Sequence, residues 1–210
     1  MNIIYLLFHG LSPYSGISKK ILHQVKGFEA CGHRVSLCTY SIADNGHRVR
    51  MINNEIIEDY GTGKPAAAKR RVSYQCIYRY AVTHQVELIY VRSFHNANPF
   101  TIRLFSKLRK AGIKIAMEIP TYPYDSEYAG FPLVTRLGIQ VDKVFRKTLA
   151  KHVNAIVTFS DYHCIFGQRT IQISNGVDFD SIPLKKTVAK NTSVIHLLGV
   201  AEVHYWHGYD

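Results

Sequence analysis

The sequence predicts an α/β fold: a Rossmann-like parallel sheet with helices on both faces. Short β-rich apolar runs alternate with longer segments of helical spacing along the chain. The first alternation closes as a full β-α-β unit between Asn2 and Tyr40, the building block of parallel sheets. Composition agrees. Of 210 residues, 47% are hydrophobic and 20% charged, the mix of a folded chain rather than a disordered or rod-like one. No apolar run approaches the ~18 residues that span a bilayer, and Ile3 to Phe8 is too short for a signal-peptide core. A cytoplasmic chain, peripheral at most at the inner face of a membrane, is therefore expected.

Element by element, Asn2 to Phe8 reads as the first strand, Ser18 to Cys31 as the first helix and Arg34 to Tyr40 as the second strand. Gly32-His33 supplies the left-handed stop between the last two. A less regular strand, Arg48 to Ile57, precedes a turn at Gly61 to Pro65 and a helix from Ala66 to His84. The strand Leu88 to Val91 follows. Asn98-Pro99 opens a helix that ends at Gly112, and Ile113 to Ile119 is the next strand. Pro120 to Pro132 is too long and too rich in proline and aromatics for a minimal connector, so it is expected to be a functional loop. Leu133 to His152 reads as an amphipathic helix. Leu137, Val141, Val144, Phe145 and Leu149 fall on one side, and Lys143, Lys147 and Lys151 on another. Ala155 to Phe159 and Thr170 to Ile173 are further strands, the latter leading to Asn175-Gly176. The expected organisation is a first domain over 1–180, a linker over 181–192 and the start of a second domain over 193–210, with a strand at Val194 to Val200.

Four cysteines without Cys-x-x-Cys spacing are expected to be reduced and mostly buried. A net charge of +11 favours acidic partners: nucleotide phosphates, nucleic acid or an anionic membrane. Several chemistries lack their motifs. There is no Gly-x-Gly-x-x-Gly with a following acid, no Gly-Lys-Ser/Thr and no Gly-x-Ser-x-Gly, which disfavours dehydrogenase, P-loop and serine-hydrolase readings. His204 and His207 lack further ligands, and neither a metal nor a cofactor is expected.

The loop His9 to Ile17 follows the first strand, at the sheet edge where open α/β folds bind ligands. Gly16 lets the backbone approach an anion, and Ser18 can cap a helix whose N–H groups attract phosphate. Lys19 and Lys20 are disfavoured in a first turn by ~0.3–1 kcal/mol unless an anion neutralises them. Two solvated lysines on an ordinary loop fit equally. His95, after the strand Leu88 to Val91, could bond a sugar hydroxyl or a phosphate, or be a surface-loop histidine. Glu118, on a strand that should be buried, needs a partner or a task. Accepting sugar hydroxyls, acting as a base and bonding loop backbone all fit it. Tyr122, Tyr124 and Tyr128 suit either a sugar-stacking wall or loop packing.

Taken together, Ser15-Gly16-Ile17-Ser18-Lys19-Lys20, Glu118-Ile119-Pro120-Thr121-Tyr122-Pro123-Tyr124, Ile173-Ser174-Asn175-Gly176-Val177-Asp178 and Leu198-Gly199-Val200-Ala201 with Trp206-His207-Gly208 form a pattern. It resembles the retaining GT-B glycosyltransferases of family 4. The resemblance implies that the chain is the amino-terminal, acceptor-side half of such a fold, ending in the first strand of a truncated second domain. It further implies a hexosyltransferase of polysaccharide biosynthesis, with a nucleotide-sugar donor and a glycan or lipid-linked acceptor. Ser15, Gly16, Ser18, His95, Glu118, Tyr122, Asn175 and Gly176 would be substrate-binding, and the catalytic residue is unassigned. Asn175-Gly176 would make a tight positive-φ turn toward the interdomain cleft. The donor-gripping elements would lie past Asp210, so the 210 residues alone would have little or no transferase activity. The basic helix and Lys69-Arg70-Arg71 would suit an anionic membrane surface, or else be solvated faces. The competing readings are a basic nucleic-acid-binding module, disfavoured because the aromatics cluster away from the basic stretches, and a non-catalytic carbohydrate-binding remnant.

Overall fold

The structure is a computed structural model that describes residues 1–93, 95–125 and 133–182. The chain divides into a compact unit, Met1–Val177, and a second, Asp178–Asp210. In the second, the described residues form a short 3-10 helix, Phe179–Ser181. The expected linker beyond Ile182, the strand Val194 to Val200 and His204 and His207 lie outside the described residues.

In the first unit the elements run β1 (Asn2–Leu6), α1 (Gly16–Ala30), β2 (Arg34–Ile42), β3 (Arg48–Ile52), β4 (Glu55–Gly61), α2 (Gly63–Val72), α3 (Gln75–Thr83), β5 (Leu88–Arg92), α4 (Pro99–Lys110), β6 (Lys114–Ile119), α5 (Leu133–Ala150), β7 (Ala155–Thr158), β8 (Cys164–Ile165) and β9 (Gln168–Gln172). The sheet order is β4-β3-β2-β1-β5-β6-β7-β9-β8. The central strands β2, β1, β5, β6, β7 and β9 pair in parallel, while β3, β4 and β8 add antiparallel edges. The sheet is thus mixed and mostly parallel, rather than parallel throughout.

The two-residue alternation of β1 explains the layering. Ile3, Tyr5 and Leu7 pack with Ile21 of α1 on one face. Ile4, Leu6 and Phe8 pack on the other with α3, α4 and α5 through Ile77, Phe105 and Leu149. α4 starts where Asn98-Pro99 predicts: the Asn98 side chain accepts from the Phe100 and Thr101 N–H groups, and the Thr101 hydroxyl accepts from the Asn98 N–H. Gly32 takes φ +78° after α1, the stop expected there.

Four expectations change. The irregular strand Arg48 to Ile57 is a hairpin, β3-β4, turned at Asn53 and Asn54 with φ +48° and +71°, values that asparagine tolerates best after glycine. The helix Ala66 to His84 is two helices, broken at Ser73-Tyr74, where the Tyr74 ring packs edge-on against Phe8 and its hydroxyl donates to the Arg71 carbonyl. On α5 the buried side is Ile139, Asp142 and Leu149, whereas Leu133, Leu137, Val141 and Val144 are 72%, 66%, 45% and 71% exposed. Of the cysteines, Cys38 and Cys76 are buried, but Cys31 and Cys164 are exposed. Burial pushes the Cys38 thiol up to about 12, so it is an inert core thiol. Among the described residues, no helix is long and apolar enough to cross a membrane.

Candidate functional site

β2 lies on one side of β1 and β5 on the other, so β1 and β5 flank the point where strand order reverses. Their carboxyl ends leave a crevice, the place where open α/β sheets take ligands. A cavity of about 680 Å³ occupies it. It is lined by the loop after β1 with the start of α1 (His9 to Lys20), the end of β5 with the loop after it (Arg92, Ser93, His95) and the end of β6 with the loop after it (Ile119 to Thr121, Tyr124). Its size suits a nucleotide or sugar.

The floor next to β1 is backbone. Gly10 approaches β2 so closely that an added Cβ would stand 2.8 Å from the Tyr40 carbonyl oxygen, which excludes any larger residue without movement of main chain. α1 then opens at Gly16, two residues before the expected start. Ser15 is its cap, accepting the Ser18 N–H at 3.4 Å. Ser18 does not cap the helix as expected. It is buried, and its Oγ accepts the Ser12 N–H at 2.9 Å, folding the loop back. The first amides of α1, which have no intrahelical acceptor, open beside the cavity. A Cβ added at Gly16 would meet nothing within 4 Å, so the approach to these amides is open.

Two cations reach the cavity wall. Lys20 lines it, with Nζ 3.6 Å from the Phe159 ring centroid and donating to Asn175 Oδ1 at 2.6 Å. Partial burial lowers its pKa below that of an ordinary lysine. Arg92 is the second. Its Nη1 donates to Glu118 Oε1, and both side chains are buried, with Glu118 at 0% exposure. Glu118 Oε2 also accepts from Tyr90 Oη at 2.7 Å and Gln24 Nε2 at 2.9 Å, and Gln24 Oε1 in turn accepts from Tyr5 Oη at 2.6 Å. Burial first, then the nearby carboxylate, raises the pKa of both phenols far above the ordinary tyrosine value, so both stay protonated as donors.

Glu118 therefore has its partners in side chains rather than in loop backbone. It stands behind Arg92 and does not line the cavity; Arg92 is the group presented there. The apolar run Leu88 to Val91 stops one residue short of Arg92, which closes β5.

His95 turns the loop with φ +45°, lines the cavity and packs against Tyr124, ring centroids 4.9 Å apart. Burial lowers its pKa below the ordinary histidine value, which favours a neutral ring at pH 7. Asp142 of α5 supports this corner, accepting the Ala97 N–H at 2.9 Å and the Tyr124 hydroxyl at 3.2 Å. Tyr122 packs behind the cavity against Tyr162 and Phe166 rather than lining it, while Tyr128 lies outside the described residues. Asn175 meets the site through Lys20. Gly176 is exposed, and neither residue takes the positive φ expected of a tight turn. Among the described residues, no cluster of three His, Cys, Asp or Glu could hold a metal ion.

The arrangement can hold a diphosphate or a sugar phosphate: helix amides and two cations for the anion, with a neutral imidazole and a tyrosine for hydroxyls and a sugar face. Neither protein-family models, nor curated protein sequences, nor solved structures contain a match to this chain.

Proposed function

We propose that this chain is the acceptor-side half of a retaining glycosyltransferase of GT-B architecture, moving a hexosyl group from a nucleotide sugar to a glycan or lipid-linked acceptor. The observation that carries the reading is the convergence of α1's opening amides, Lys20 and Arg92 on one cavity at the point of strand-order reversal. In the reaction, an acceptor hydroxyl forms the new bond to the anomeric carbon as the bond to the diphosphate breaks, and its proton passes to a departing phosphate oxygen. Lys20, Arg92 and the Gly16 end of α1 stabilise the charge that develops on the diphosphate. His95 and Tyr124 orient the acceptor. A nucleic-acid reading has weaker support, because the aromatics Tyr122, Tyr162 and Phe166 pack on one another instead of forming an exposed stacking row.

Calorimetric titration with uridine diphosphate tests the site. Binding on the order of 1 mM is expected for this chain alone, with Lys20→Gln about tenfold weaker, the loss of one charge-assisted hydrogen bond. Equal affinity of the variant, or salt-sensitive oligonucleotide binding that uridine diphosphate fails to displace, would count against the reading.

α5 supports an anionic membrane as the place of the acceptor. Leu133, Leu137, Val141 and Val144 recur at spacings of four, four and three, forming one exposed stripe that Arg136 and Lys147 flank. Vesicles containing anionic lipid are expected to bind the chain more tightly than neutral ones. Leu137→Glu should weaken that binding about tenfold or more, since burying one leucine is worth ~1.5–3 kcal/mol. Unchanged cosedimentation of the variant would remove the membrane from the account.

A further inference from the structure

Around Tyr40 of β2, arginines gather without a carboxylate. Tyr40, whose N–H donates to the His9 carbonyl at 3.3 Å, is held on two sides. Arg48 Nη1 donates to its hydroxyl at 2.6 Å, and the Arg70 guanidinium lies 4.1 Å over its ring. Behind them Arg50 is 1% exposed, its Nη1 donating to the Leu7 carbonyl at 2.7 Å. The Nε atoms of Arg50 and Arg70 are buried without a hydrogen-bond partner. Arg71 follows Arg70 on α2.

The acids on the adjacent strand are engaged elsewhere. Glu58, opposite Arg50 in register, lies within 4 Å of Lys69 and Arg79, and Asp59 pairs with His47 at 2.7 Å. Among the described residues, none of Arg48, Arg50, Arg70 and Arg71 has a carboxylate partner. Burial, and the repulsion of Arg71, Arg48 and Arg50, lower the Arg70 pKa below that of an ordinary guanidinium. Grouped and partly desolvated cations repel one another and destabilise the chain, and a bound anion relieves that.

We propose that Arg48 and Arg70, gathered on Tyr40 beside the His9–Gly10 wall, bind a phosphate group carried by the acceptor. The anion site stands on the arginines alone; assigning its phosphate to an acceptor rests on the transferase reading above. A guanidinium presents five donors in a planar fork that matches phosphate oxygens. Arg48 directs one of these to Tyr40. The shared chemistry is a phosphate monoester, from a soluble phosphorylated sugar or from a phospholipid headgroup.

The test is a titration with inorganic phosphate at constant ionic strength, following the Arg70 Nε–H signal, the Gly16 amide and the unfolding midpoint. The Arg70 signal is expected to move, and the midpoint to rise with phosphate. Arg70→Gln should unfold at a higher temperature than wild type without phosphate, and bind phosphate at least tenfold more weakly. Arg48→Lys, which retains the charge and loses the fork, gives an independent check and should also weaken binding. Lys20→Gln should leave the Arg70 shift in place.

Vesicles of phosphatidic acid set against phosphatidylcholine identify the source: movement of the Arg70 signal by phosphatidic acid at phosphate levels where soluble phosphate is silent assigns a headgroup. An Arg70 signal unmoved by either source overturns the proposal. If the Gly16 amide still shifts, the transferase reading stands without it; if Gly16 is also silent, both fall.

Discussion

Replacing Glu118 with alanine is expected to lower the unfolding free energy by about 3–5 kcal/mol, because it leaves the buried Arg92 guanidinium without its counter-ion. The loss extends beyond one ion pair. Tyr90 and Gln24 also donate to this carboxylate, and Gln24 links it to Tyr5, so donors from β5 and α1 would lose their acceptor together. Urea denaturation of Glu118→Ala and Glu118→Gln measures the effect. The double variant Arg92→Met with Glu118→Leu should recover only part of the stability, since it removes both charges at once but still leaves the Tyr90 and Gln24 donors without an acceptor. It should not recover nucleotide binding, because Arg92 is the group at the cavity wall. A cost under about 1 kcal/mol for Glu118→Ala would show that water reaches the pair and that the carboxylate does not hold Arg92 in place.

The next largest effect is expected at Asp142, whose replacement by alanine should cost about 2–4 kcal/mol by leaving the Ala97 N–H and the Tyr124 hydroxyl without an acceptor. Because these two groups hold the loop that carries His95, the variant should also weaken ligand binding at the cavity. The pH dependence has a definite sign. Burial holds the Asp142 pKa above the ordinary carboxylate value, so its native pKa exceeds its unfolded one. Its contribution to stability is then full below the unfolded pKa of ~3.9 and is lost as pH rises through the native pKa. Asp142→Asn cannot ionise. Wild type should therefore gain on Asp142→Asn as pH falls from neutral toward ~4, measured as the difference between their unfolding free energies. Asp125 behaves oppositely. Arg146 bonds its carboxylate and lowers its pKa, so its contribution is lost on acidification, and that loss cancels between the two proteins.

The β1-α1-β2 unit and the start of α4 were legible because each is set by local chemistry: alternating burial along β1, a left-handed glycine at Gly32 and the Asn98-Pro99 cap. The β3-β4 hairpin carried a readable signal in Asn53-Asn54, obscured because Arg48 to Ile57 lacks a clean alternation. The break between α2 and α3 carried none, since neither Ser73 nor Tyr74 is a helix breaker like proline or glycine. Tertiary packing of Tyr74 on Phe8 decides it.

At the cavity, the segments after β1 and β5 followed from topology, which brings Gly16 and His95 together. Gly10 and Arg92 did not. The close approach of Gly10 to Tyr40 and the pairing of Arg92 with Glu118 exist only between strands distant in sequence. On α5, the spacing that marks an amphipathic helix does not say which face the core takes. Asp142, a polar residue, points inward because Ala97 and Tyr124 satisfy it.

An amide-resolved NMR titration of this chain with uridine diphosphate reads the anion site at the end of β1 directly. The largest shifts are expected on Gly16, Ile17 and Ser18, with Arg92 and His95 moving alongside. Shifts centred away from α1's opening turn and Arg92, or no shifts at millimolar ligand, would contradict it.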